Sequence, residues 1–273
     1  MLTSRIHNKS LFSVLNAKIL TVCTITVIFF VPSVLGNNNT TAEAIEITRA
    51  APVIDRTEVA TPVIFNADYK ANIKGFSVSA NRTLKLLKNG NMELLFTATS
   101  WAANLEESSV FNWQEGQIQP LSYRYHQSAF GKKRQQTLSF NTDKNTINSD
   151  NNGDIRIIEQ TAPTLDKLNY QLQLQQDLLA NKSDLQYIVA NKGNLKQYRF
   201  EPQGEEIIDT LSGALHTVKV KVIRENKDKT TLIWFAKDWG YLLTRLEQYN
   251  GDKQTLSITL DTATVDGITV TGN

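Results

Sequence analysis

Of the three histidines, His7 lies in the N-terminal basic stretch, and His126 and His216 stand ninety residues apart, neither with a second ligand at the spacing that places two side chains on one metal ion. Each reads as a surface or strand-packed histidine. Glu205, Glu206 and Asp209 crowd one short stretch. Catalysis by two carboxylates needs them ~5–10 Å apart across a cleft. Neighbours on a strand point to opposite faces instead, so these acids read as a charged strand. No serine sits in Gly-x-Ser-x-Gly, and no Gly-x-x-x-x-Gly-Lys phosphate loop is present. Cys23 is the single cysteine, set inside an apolar run and preceded by the bulky Val22, which argues against lipidation. Once the segment that carries it is removed, thiol catalysis, disulfides and thiolate-bound zinc are excluded. The expectation is a protein with no catalytic residue, no metal and no cofactor, and not an enzyme.

Aromatic side chains are the more suggestive set. Trp101, Trp113, Tyr123 and Tyr125 form one dense group, and Trp234, Phe235, Trp239 and Tyr241 a second. Such rings build either ordinary core or the wall of an apolar pocket inside a curved sheet. On the second reading Trp113, Tyr123, Tyr125, Trp234 and Trp239 are the candidate ligand-binding residues.

The elements that must position them follow a two-residue period from Phe65 onward. Leu94/Phe96/Ala98, Leu138/Phe140, Tyr198/Phe200, Val218/Val220/Val222 and Leu256/Ile258/Leu260 alternate with polar partners. A strand with one dry and one wet face requires this alternation. Turn signals such as Lys88-Asn-Gly-Asn91, Asp150-Asn-Asn-Gly153, Asn191-Lys-Gly193, Gln203-Gly204 and Asn250-Gly-Asp252 separate the runs at hairpin spacing. No alternation of strands with helices is visible. One segment differs. Leu165, Leu168, Leu172 and Leu179 fall on one helical stripe, with Thr164 as the N-cap. The fold expected is mainly β: a single curved antiparallel sheet or open barrel with one packed helix near 165–179.

Residues 1–36 have the three parts of a secretory signal: Arg5, Lys9 and Lys18, an apolar run from Ile19 to Val31, then Pro32 and Val34-Leu-Gly36. The competing reading is an uncleaved anchor in the inner membrane, since the run extended to Leu35 approaches the ~20 residues of a span. Residues 37–64 are rich in Asn, Thr, Ala and Pro and read as a flexible leader, with the β domain occupying 65–273. Without the three cations of 1–36 the chain has 26 basic and 27 acidic residues. A near-neutral domain has no broad field for phosphate backbones, so nucleic acid is not an expected partner. The expected location is the periplasm or the exterior, with membrane contact only through the signal segment or loosely at the surface.

Asp68-Tyr69 followed by Gly75, Pro120-Leu-x-Tyr123, Asp166-x-Leu-x-Tyr-Gln-Leu172, Thr210-Leu-x-Gly213, and Trp234-x-Ala-x-Asp-x-Gly-Tyr-Leu242 before Arg245-Leu-Glu247 occur in this order over about 190 residues. In this the chain resembles the DUF3108 family, whose members are exported bacterial proteins of no established activity. It departs from the family pattern at Leu243, where Pro is expected, and at Gln173, where Arg is expected. The resemblance implies compartment and fold rather than mechanism. A curved antiparallel sheet with a helix is also similar, at the level of fold alone, to envelope lipid and lipoprotein carriers.

The leading expectation is a non-catalytic binding or carrier module for an apolar, lipid-like ligand, which requires an internal apolar cavity. The alternative is a structural or protein-interaction component of the envelope, which requires a packed interior with an exposed apolar patch or strand edge. A hydrolase of envelope polymers, requiring facing carboxylates or a histidine-paired nucleophile, ranks last.

Overall fold

Alternation becomes pleat. In β1 (Phe65–Ile73), Phe65, Ala67, Tyr69 and Ala71 are buried and every residue between them is exposed. The structure, a computed structural model, describes residues 61–73, 75–223 and 228–272. The predicted signal segment and most of the predicted leader lie outside these residues.

Seven further strands follow β1 as an up-and-down meander: β2 (Phe76–Leu86), β3 (Met92–Thr99), β4 (Ala103–Gln114), β5 (Gln117–Ala129), β6 (Lys132–Asn141), β7 (Thr146–Asn151) and β8 (Asp154–Glu159). The short β9 (Thr164–Leu165) and helix α1 (Asn169–Leu179) interrupt it. A second meander comprises β10 (Gln186–Asn191), β11 (Asn194–Thr210), β12 (Gly213–Ile223), β13 (Lys229–Ala236), β14 (Leu242–Asn250) and β15 (Lys253–Val265), with β16 (Ile268–Thr269) folded back on β15. One antiparallel seam, β1 against β15, joins the two meanders into a single sheet ordered 8-7-6-5-4-3-2-1-15-14-13-12-11-10-9. Its two ends, β8 and β9, do not pair with each other, so the sheet is open and not a barrel.

A twisted sheet of this width curls, and its concave face wraps α1. Leu172, Leu174 and Leu178 of the helix join side chains from both meanders in one apolar cluster. The polar flank of the helix is buried too, and the sheet holds it. Gln173 accepts from the Ile118 N–H (2.8 Å) and donates to the Gly116 carbonyl (3.0 Å), while Gln175 donates to the Gly240 carbonyl (2.9 Å). The curl brings the β8 end round to the β10–β11 turn: a Cβ added at Gly193 would lie 2.6 Å from the Arg156 side chain.

The helix begins four residues later than the leucine spacing predicts. Thr164 and Leu165 instead pair in parallel with Ile188 and Val189. Thr164 donates its hydroxyl to the Ala162 carbonyl and caps nothing. The cap is Asp166, whose Oδ1 accepts the N–H groups of Leu168 and Asn169, both at 2.8 Å. Asn169 in turn accepts from the Asp166 N–H, a reciprocal arrangement that fixes where helical bonding can start. Leu179, expected on the buried stripe, is 40% exposed. Gln203-Gly204, expected as a turn, is a bulge within β11. Pairing with β10 ends at Arg199, so Pro202 lies where one edge of β11 has no ladder to disrupt.

Candidate functional site

The concave face carries charge at positions where the alternation demands oil. Arg82 on β2 stands between Ala80 and Leu84 on the same face and is 3% exposed. Across the strands it is in register with Phe96 on β3, and Phe96 with Glu107 on β4. Arg82 and Glu107 are therefore two strands apart, roughly 10 Å between Cα atoms. Lys167, just before α1, is buried beside them.

These three groups line one cavity of about 100 Å³ between the start of α1 and the sheet. Leu243 and Leu246 of β14 with Leu256 and Ile258 of β15 form its apolar wall, and Tyr69, Tyr170 and Tyr198 contribute rings. Phe96, Leu246 and Ile258 are only half-buried, as are Gln171 and Gln248, which marks the mouth.

The ions differ in how they are satisfied. Glu107 accepts from the Tyr123 hydroxyl at 2.8 Å. The Lys167 ammonium lies 5.0 Å from the centre of the Tyr125 ring, within cation–π range. The Arg82 guanidinium lies 5.3 Å from the Phe65 ring centre, and beyond a loose approach of the Tyr69 hydroxyl its Nε, Nη1 and Nη2 make no hydrogen bond of good geometry among the described residues. Burial pulls its pKa down, opposed by the nearby oxygens of Tyr69 and Tyr170. Burial also pushes the Tyr69 phenol up to about 12, against the pull of Arg82. Tyr69 stays a donor and bonds the Leu243 carbonyl at 2.8 Å.

Beneath the cavity, Asp166 accepts from Ser109 at 2.6 Å in addition to its two cap bonds. Burial nevertheless pushes its carboxyl up to about 7. Burial and Glu107 hold the Tyr123 phenol far above its ordinary range. Outside, Lys192 titrates low because it is partly desolvated and close to Lys167, Arg134 and Lys196. The Lys167 side of the cavity thus borders a cluster of cations.

A family model described as "Protein of unknown function (DUF3108)" matches residues 66–261. The chain belongs to the DUF3108 family. No curated protein matches the chain. Gln173 pins the helix to the β4–β5 hairpin through donor and acceptor at once, and the Leu243 carbonyl anchors Tyr69.

The five predicted ligand-binding residues are dispersed. None lines this cavity. Tyr123 and Tyr125 lie one strand beyond Glu107, on β5, the first bonded to Glu107 and the second facing the Lys167 ammonium. Trp113 is half-buried against the core at the far end of β4, with its Nε1 unpartnered among the described residues. Trp239 packs beside the core from the turn Lys237–Trp239. Trp234 donates its indole N–H to Glu206 and lies between Lys219 and Arg245, 5.0 and 5.8 Å from the ring centre. It is separate from the core cluster that its neighbours Ile233 and Phe235 join. Glu205 pairs with Lys237 and lies 3.0 Å from His216 Nε2, and Glu206 pairs with Lys219. Arg82, Glu107 and Lys167 are absent from the predicted set. The signal that could have found Arg82 and Glu107 is an ion in phase with the dry face of its strand, as with Arg82 between Ala80 and Leu84.

Proposed function

We propose that this chain is an exported, non-catalytic binding or carrier module of the cell envelope, acting on an apolar, lipid-like ligand. The observation that carries this reading is the cavity under α1. It is a concavity with a mostly apolar wall and a few polar groups converging on one end, the usual make-up of a small-molecule site. About 100 Å³ is room for roughly three waters. One end of a ligand therefore occupies it, and the remainder follows the half-buried Phe96, Leu246 and Ile258 outward. Export rests on the charge and hydropathy pattern of residues 1–36. Among the described residues no helix is long and apolar enough to cross a membrane.

Native mass spectrometry of protein purified from the periplasm tests the reading. The expected spectrum contains a fraction of chains carrying a small-molecule adduct, and this fraction grows after incubation with lipid extract. A spectrum free of adducts before and after incubation overturns the proposal. A co-purifying protein in place of an adduct favours the second reading, an interaction component of the envelope. That reading draws on β8, an edge strand with Ile155 and Ile157 exposed at 74% and 71%.

A further inference from the structure

The cavity has a polarity of its own. A charged guanidinium buried in a dry wall with no hydrogen bond of good geometry is costly, and arginine cannot relieve the cost by losing its proton. Neighbouring carboxylates do not relieve it here. Glu107, across Phe96, is taken by Tyr123, and Asp166 by Ser109 and the helix cap. The ions lining the cavity are two cations and one carboxylate, a net positive set, and further cations stand near Lys167 outside. The unused donors of Arg82 and the apolar mouth lie on the same cavity.

We propose that Arg82 receives the carboxylate of an amphipathic acid whose hydrocarbon chain leaves through the mouth. This rests on the binding reading above and deepens it by assigning the ligand's head. The planar donor fork of arginine matches a carboxylate in a bidentate pair. The cavity of about 100 Å³ has room for a small head such as a carboxylate with its first carbon. The chain then runs past Leu246 and Ile258, and Lys167 closes the other side.

Isothermal titration of the protein, purified as the cell produces it, with octanoate, 1-octanol and octyl phosphate tests the assignment. Octanoate should bind at least ten-fold tighter than 1-octanol, and octyl phosphate more weakly than octanoate. Arg82→Met should bring octanoate down to the level of 1-octanol measured on the same variant. Arg82→Gln serves the same purpose if the methionine variant does not fold. Equal binding of octanoate and octanol by the unaltered chain overturns the assignment but leaves the binding reading standing. So does an unchanged preference in the Arg82 variant. Octyl phosphate as the tightest ligand overturns the carboxylate. Binding of none of the three overturns assignment and binding reading together.

Discussion

Asp166 combines two demands that conflict. As a carboxylate it caps α1 and accepts from Ser109; as a fully buried group it resists ionisation, and burial prevails, pushing its pKa to about 7. The folded chain therefore holds a proton that the unfolded chain releases near pH 4. Stability from this group is at its fullest below pH 4, declines as the pH rises towards 7, and is level above. The ceiling on the loss is roughly 4 kcal/mol, at about 1.36 kcal/mol for each tenfold change in proton affinity. Asp166→Asn isolates the effect. The amide oxygen keeps both cap bonds, and the amide N–H₂ faces Ser109 as the protonated acid would. Urea unfolding at pH 5 and pH 8 should show the asparagine variant gaining about 2 kcal/mol relative to the unaltered chain over that interval. Parallel stability curves for the two proteins would remove Asp166 as the titrating group. This residue's burial was not legible beforehand. Asp166 looks like a helix-start acid in any chain, and only the curl of the sheet over α1 makes its site dry.

The same enclosure explains what could be read about α1. Its existence was legible because Leu168 and Leu172 keep helical spacing. Its start was not, because the choice between Thr164 and Asp166 as cap depends on Thr164 and Leu165 being drawn into a parallel pair with β10. The buried role of its glutamines was hidden as well, since Gln173 and Gln175 resemble a solvated flank until the β4–β5 hairpin and Gly240 close over them. Gln173 is the most exacting of these positions. It must accept from Ile118 and also donate to Gly116 and to Asp177, the last at 2.9 Å. Leucine of similar volume withdraws all three bonds, and each buried orphan costs about 1–3 kcal/mol. Gln173→Leu should lower stability by roughly 3 kcal/mol, read as a lower urea midpoint with an unchanged slope. An arginine at this position donates only, so Ile118 would still lack its acceptor. A midpoint within error of the unaltered chain would mean that the hairpin is held by packing alone.

At the scale of the whole molecule, hairpins could be read one by one, but the β1–β15 seam could not. It joins residues about 190 apart that carry no mutual signal beyond being apolar on alternate positions. The open sheet then leaves the β11–β12 hairpin overhanging past the end of β10. The C-terminal tail fastens the tip: the Gly272 N–H donates to the Ser212 carbonyl, and the Ser212 hydroxyl to the Asp261 carbonyl at 2.9 Å. The contact is so close that only glycines fit on either side. A Cβ on Gly272 would lie 2.3 Å from the Ala214 carbonyl oxygen, and one on Gly213, whose φ is +101°, would meet Gly272 Cα at 2.9 Å. Backbone cannot yield to a side chain there, so Gly272→Val must release the tail. With it goes the packing of Val270, which shares the core cluster with Leu215 near the tip. The expected loss is about 1–3 kcal/mol. The local signature is faster hydrogen exchange at the amides of 208–215, with those of α1 unchanged. Tip amides as protected in the valine variant as in the unaltered chain would show that the tail rests on the hairpin without holding it.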